Sequence, residues 1–489
     1  MILFAACCFL VYLLSNARPD VFFSGDAGLK FLVLKQMQQH GFFHKIDPDR
    51  QEWVNVLWAE GFYPFKPPFV YHLAGDYVVA FPPFFQWLNA PLYNLLGYRG
   101  LYIVPAASLF GLWCWFVYAM RRWNIAPLIT SLVMIVLVFG SPLTIYAAMY
   151  WEHTLSILFS FAAIMFLVSE PASKIHTVFL GILTGCSGLL RPELLVFCML
   201  FIFAALFKAS YKKNFHHVLF AASTSAVLVF YFCFNLLVYH NVLGAHGMQL
   251  IDESSLWEKL QKGLTLLLHL NAKFIAFFPV SLLFYFFVVH LLVRRPVMRP
   301  VVYPLVIISL LYALIIPFLV PNGGGKQWGP RYFLPLVPLM LAALCLSSGH
   351  IELIIKKHKG VRISVWLVLI AGFFLNSVAA ASTLAVDYSY RVTPAMKYLK
   401  AEAADVVVVQ NQYITQEFSA LFDEKSFFLS DNPKTTRSLL AKLKLAGVRE
   451  VIYISSAQEE PAMPNQLTPQ RSGLRQVGSY FFAKYLLGP

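Results

Sequence analysis

The stretch Ser24-Gly25-Asp26-Ala27-Gly28, continued by Leu29-Lys30-Phe31-Leu32-Val33-Leu34-Lys35, governs the reading of this chain, because nearly everything around it is compatible with hydrocarbon. It follows an apolar run over residues 2–14 and so places a carboxylate, Asp26, where a first membrane span would emerge into water. Small residues flank it, and glycines let another backbone or a ligand come close. Asp is also a preferred helix N-cap, so capping of a helix over residues 27–40 is the plain alternative. An ionisable group at a membrane boundary is nevertheless a functional candidate by default.

Working outward, the composition settles the class. Of 489 residues, 59% are hydrophobic, 16% aromatic and 13% charged, against about 25% charged in soluble domains. The net charge of +14 could suggest a nucleic-acid partner. Position argues against it: Arg121-Arg122, Lys212-Lys213, Arg294-Arg295 and Lys356-Lys357 sit in short turns between apolar runs, which is a topology signal. All seven cysteines lie within apolar runs, with no disulfide framework and no paired-cysteine zinc spacing.

A span needs about 20 apolar residues. The run 2–14 is short, and Ser15-Asn16-Ala17 resembles a small-x-small cleavage site, but the basic segment of a signal peptide is missing. Further runs near 101–119, 126–147, 154–169, 176–190, 193–207, 218–239, 273–292, 301–320, 332–348 and 363–384 bring the expectation to about eleven spans. With the chain starting in the cytoplasm, the basic turns at 121–122, 174, 208–217, 294–299 and 356–362 all fall on that side. Residues 16–100 then form a long outer loop. Leu29 to Met37 reads as an amphipathic helix with Lys30 on its basic face, and Trp53, Trp58, Phe62, Tyr63 and Phe65 suggest membrane-interface anchoring.

From about residue 388 the character changes. Val406–Val409, Phe427–Leu429 and Val451–Ile454 read as buried strands, and Ser438–Leu445 as a helix ending at Gly447. The expected organisation is a transmembrane domain over 1–387, including the outer loop 16–100, and a small extracytoplasmic α/β domain over 388–489. No glycine-rich phosphate turn favours a nucleotide site there.

The polar residues collect on one side. Asp26 follows the first span, Tyr150-Trp151-Glu152-His153 joins the third and fourth, Arg191-Pro192-Glu193 the fifth and sixth, and Gly323-Gly324-Gly325-Lys326-Gln327-Trp328-Gly329-Pro330-Arg331-Tyr332 the ninth and tenth. Charges near a membrane pair with one another or line a wet cavity. Glu152 could simply favour a helix start, and Arg191 could simply pair with Glu193. The glycine-rich loop is the most specific of the four: its backbone N–H groups can wrap an anion, while Lys326 and Arg331 supply charge-assisted donors for phosphate. Transfer from a lipid-phosphate donor fits this set. Cations stabilise the departing phosphate, a carboxylate takes the acceptor's hydroxyl proton, and apolar spans provide a groove for a polyprenyl chain.

In these motifs the chain resembles the GT-C superfamily of membrane glycosyltransferases, closest to the bacterial branch of protein O-mannosyltransferases and lipid A aminoarabinose transferases. The resemblance covers roughly residues 1–350. It implies an α-helical polytopic fold carrying an inverting transferase that uses a polyprenyl-phosphate sugar donor and a lipid, glycan or protein acceptor. It implies Asp26 as general base, Glu152 as second acid, and Arg191, Lys326 and Arg331 as cations for the donor phosphate; the motifs around them add His153, Glu193 and Trp328 to the expected substrate-binding set. Some members use a divalent metal with a paired acidic motif; Asp26 stands between Gly25 and Ala27, so no metal or other cofactor is expected. The implied location is the bacterial inner (plasma) membrane, with active site and C-terminus extracytoplasmic. The rivals are a transporter or lipid flippase and a polysaccharide polymerase or ligase. A transporter would show inverted repeats and midplane polar residues; a polymerase would carry its catalytic groups on large late loops.

Overall fold

The computed structural model describes every residue except 19, 42–44, 47–50, 74, 170, 172, 249–254, 459–471 and 488–489. The chain divides into two compact units. One comprises Met1–Leu14 and Leu101–Ser382, the other Ser15–Gly100 and Thr383–Pro489.

The first unit is helical and apolar. Among the described residues, five helices are long and apolar enough to cross a membrane, Leu194–Tyr211, Phe215–Tyr239 and Val302–Leu319 among them, and up to seven if two sharply bent pairs each count as one span. Shorter apolar helices run over Ile2–Asn16, Pro127–Phe139, His153–Val168 and Lys174–Leu190. The protein is an integral membrane protein. The apolar run 273–292, read as one span, is broken: Trp257–Phe277 and Ser281–Arg294 meet at 114°. The reason is local, since Pro279 removes a backbone donor at the break.

Small residues set the closest helix packing here. Gly181 and Gly185, four apart on Lys174–Leu190, face Phe215–Tyr239; an added Cβ would come within 1.9 Å of Ser223 Oγ or 2.6 Å of Val227 Cβ. Thr224 Oγ1 donates to Gly181 O at 3.1 Å across the same seam. Without a hydrophobic drive between helices in lipid, such small-residue contacts are what hold spans together.

The second unit holds the tail and the loop 16–100. Val406–Val409 pairs in parallel with Ser426–Leu429 and with Glu450–Ser455, matching the expected strands, and Pro433–Leu445 is the expected helix. An antiparallel hairpin, Ser472–Val477 with Tyr480–Leu486, extends the sheet to five strands. The loop adds a three-stranded antiparallel sheet from Lys45–Ile46, Asp76–Val79 and Val70–Leu73.

Two expectations for the loop are corrected. The helix Gly25–His40 is no surface amphipath: Leu29, Phe31, Leu32, Val33 and Leu34 are all buried, and Lys30 is only 2% exposed, its ammonium 4.8 Å from the Phe81 ring centre. An aromatic face offsets the desolvation of that cation. Trp58 is a core residue and no interface anchor. It stacks on Phe422 at 6.0 Å, and its Nε1 donates to Phe427 O at 2.9 Å. These contacts explain why residues 16–100 group with the tail, although the sequence assigns them to the membrane domain.

Candidate active site

Three helix ends build the polar centre of the membrane unit. Glu152 precedes His153–Val168, Arg191 ends Lys174–Leu190, and Glu193 precedes Leu194–Lys212. The first two helices pack together and are joined by a short turn, so Glu152 and Arg191 fall at the same end. Arg191 Nη1 donates to Glu152 Oε1 at 2.7 Å. Arg191 Nε donates to Glu193 Oε1 at 2.7 Å, with Nη2 2.5 Å from the same oxygen. The cluster is nearly sealed, its side chains 8%, 4% and 7% exposed for Arg191, Glu152 and Glu193. One guanidinium between two carboxylates leaves a formal charge of −1, so Arg191 already has acceptors for three of its N–H bonds.

The glycine loop reaches this cluster through aromatic residues. Tyr146 Oη donates to Trp328 O at 2.9 Å. The Tyr146 ring lies 5.3 Å from Trp151 and 4.9 Å from His153, and Trp151 lies 4.8 Å from His153. The Arg331 guanidinium sits 5.8 Å from the Trp151 ring centre and within electrostatic reach of Arg191 and Tyr146. Trp328 Nε1 donates to Asn376 Oδ1 at 3.0 Å, while Asn376 Nδ2 donates to Gly140 O at 3.1 Å and Phe277 O at 2.9 Å. Glu152, His153, Arg191, Glu193, Trp328 and Arg331 are therefore gathered in one unit. Lys326 lies half-buried on the same loop. Gly324 adopts φ +89°, where glycine costs least, and its N–H donates to Asn322 Oδ1 at 2.8 Å.

Sequence reading passed over Lys273 and Asn376. One face of Trp257–Phe277 turns to the glycine loop: Gly323 lies against His269, and Gly329 against Phe277. Lys273 shares that face at i+4 from His269 and i−4 from Phe277. It is half-buried, within electrostatic reach of Arg331, and among the described residues has no carboxylate partner. The usable signal was the 269-273-277 spacing, hidden because Lys273 stood at the edge of an apolar run. Asn376 carried no signal, since Trp328, Gly140 and Phe277 reach it from distant segments.

Asp26 belongs to the other unit. It lies in the first turn of Gly25–His40, inside the helix and not at its cap, which is Ser24, and it is buried at 8% exposure. Among the described residues no three His, Cys, Asp or Glu side chains are grouped to hold a metal ion.

An apolar cavity of about 220 Å³ lies elsewhere in the membrane unit, lined by Leu132, Val136, Phe287, Leu341 and Leu369 among others. A second cavity shares Leu132, Val136 and Leu369 and extends to Gly140, whose carbonyl accepts from Asn376. Hydrocarbon-lined space thus leads to within two hydrogen bonds of Trp328.

No protein-family model and no curated protein matches the sequence. Solved structures do. The crystal structure of ArnT from Cupriavidus metallidurans in the apo state aligns with a TM-score of 0.55 at 13% identity, over 100% of this chain and 98% of that one. The chain has the GT-C fold. The same ArnT bound to undecaprenyl phosphate aligns at 0.56 with 10% identity, over 99% and 98%. The archaeal oligosaccharyltransferase AglB from Archaeoglobus fulgidus, in complex with an inhibitory peptide and a dolichol-phosphate, aligns at 0.45 with 12% identity over 92% of this chain and 69% of its own. Within the GT-C fold of this chain, the polar centre and the glycine loop occupy helix ends of the membrane unit.

Proposed function

We propose that this protein is a membrane glycosyltransferase moving a sugar from a polyprenyl-phosphate donor to an acceptor hydroxyl at the extracytoplasmic face. The observation that carries the reading is the glycine loop with Arg331 on it, packed against the Trp257–Phe277 face that carries Lys273, with apolar cavity space reaching Gly140, whose carbonyl accepts from Asn376. A lipid phosphate needs both, cations at its head and hydrocarbon along its tail. The neighbouring ArnT fold solved with undecaprenyl phosphate supports the same donor class.

In this reading the acceptor oxygen attacks the anomeric carbon, forming the new glycosidic bond as the bond from that carbon to the phosphate oxygen breaks. Asp26 takes the acceptor's proton as general base. The phosphate leaves as an anion, and Arg331, Lys326 and Lys273 stabilise the charge developing on it. Attack opposite the leaving phosphate inverts the anomeric centre. Glu152, hydrogen-bonded to Arg191, places negative charge near the cationic sugar that forms in passing, while Glu193 fixes Arg191. His153 and Trp328 offer aromatic faces to the sugar.

The test is Asp26→Asn in proteoliposomes carrying a polyprenyl-phosphate sugar. Loss of a general base should slow transfer by about 10²–10⁴-fold while donor binding is retained. A normal rate removes Asp26 from the reaction.

A further inference from the structure

The first turn of the Asp26 helix is covered by a segment of the tail. Gly25 and Gly28 lie directly against Gln416 and Ser419: an added Cβ would come within 2.1 Å of Gln416 Oε1, 1.8 Å of Gln416 O and 2.7 Å of Ser419 Oγ. Gly25 and Gly28, three apart on one helix, meet the last turn of Gln412–Glu417 and the tight turn Ser419–Leu421 that follows it. The helix Gln412–Glu417 is held right beside this seam, at Glu417, which accepts from Tyr480 Oη and has Arg391 Nη2 at 3.6 Å.

What this seam buries is unusual. Gln416 is 0% exposed, Ser419 1% and Ser24 4%. Yet Gln416 Nε2, Gln416 Oε1, Ser419 Oγ and Ser24 Oγ have no hydrogen-bond partner among the described residues. Buried polar groups in native proteins are nearly always paired, and an unpaired one carries its full desolvation cost. Three such atoms on the seam, and a fourth at the helix cap Ser24 next to it in the chain, make the closed packing easy to part. They also describe a ligand. An amide and two hydroxyls can each donate and accept, and none carries charge. Asp26 alongside repels anions. The complement is a neutral group with several hydroxyls.

We infer that Gln416 and Ser419, with Ser24, form an acceptor subsite for glycan hydroxyls next to Asp26, which the acceptor enters by displacing the Gly25–Gly28 face from the tail. This rests on the glycosyltransferase reading and adds the acceptor class to it. The tail then selects the substrate whose proton Asp26 removes. Hydroxyls of the acceptor sugar take up the amide and hydroxyl groups, and a neighbouring hydroxyl is left facing the carboxylate.

The experiment uses the full chain in vesicles containing a polyprenyl-phosphate sugar, with total envelope glycolipid as one acceptor and a serine/threonine peptide as the other. Gln416→Leu keeps the shape but deletes the amide; loss of its hydrogen bonds should raise the glycolipid KM about ten-fold, with kcat and donor KM changed by less than about two-fold. Its Tm should stay level or rise, since no protein hydrogen bond is lost. Ser419→Ala should raise the same KM by about three-fold. A wild-type glycolipid KM in both variants overturns the inference, as does a joint fall of kcat, donor affinity and Tm in Gln416→Leu. Preference of the native protein for the peptide overturns it as well. If the native protein transfers sugar to neither acceptor, the glycosyltransferase reading fails first and this one with it.

Discussion

In the membrane unit, Arg191 and its two carboxylates are sealed at 8%, 4% and 7% side-chain exposure. In the other unit, Lys66 and Asp431 meet at 2.6 Å with 47% and 42% of their side chains exposed, and Lys442 meets Glu60 at 2.7 Å with 38% and 41%. The contact distances are alike and the consequences are not. Water and salt screen the exposed pairs, so each is worth about 0–1 kcal/mol. A buried cluster cannot lose one partner without stranding the others in a poor dielectric. These two exposed pairs therefore tune the surface, whereas the cluster in the membrane unit ties together the ends of three helices.

The sharpest way to break this contrast is Arg191→Ala. It leaves Glu152 and Glu193 buried together, so stability should fall by about 3–5 kcal/mol, read by denaturation in detergent. Adding Glu152→Gln and Glu193→Gln should recover part of the loss, because neutral amides replace stranded charges. An unchanged Tm in the single variant would mean that the cluster is open to water.

Arg331→Ala should separate function from stability in the same unit. Removing a charge-assisted partner of phosphate costs about 1.5–3 kcal/mol of donor binding, roughly ten- to a hundred-fold in donor KM. Its Tm should fall less than that of Arg191→Ala. Donor use at the normal KM would remove Arg331 from phosphate recognition.

The smallest effect belongs to Lys66→Ala, which should cost no more than about 1 kcal/mol. The hydrogen bond from Lys66 holds the Asp431 carboxyl below its ordinary range. A depressed acid stabilises the fold above its unfolded-state pKa and loses that contribution as pH falls through its folded-state pKa. The gap between Lys66→Ala and the native protein should therefore be full at neutral pH, shrink in strong acid, and narrow at high salt. A gap that persists at the lowest pH would assign the effect to something other than this pair.

Much of the fold was legible because its signals are local. Glu152-His153, Arg191-Pro192-Glu193 and the glycine loop stood out as charges interrupting hydrocarbon, and Val406–Val409 as an apolar run of strand length. Lys30 misled for the same reason. Its neighbours in sequence place it on a polar face, while Phe81, 51 residues on, sets an aromatic ring beside its buried ammonium.

What the sequence by itself determined is the membrane character, the approximate apolar runs and three of the five strands of the tail, since hydropathy and periodicity act over a few turns. The tertiary structure alone decided that Arg191 is shared by two carboxylates, that the glycine loop packs against His269 and Phe277, that Asn376 ties Trp328 to Gly140, and that Gln416 covers Gly25. Each of those joins residues far apart in the chain, and partners at such distances are chosen by packing, which no local pattern records.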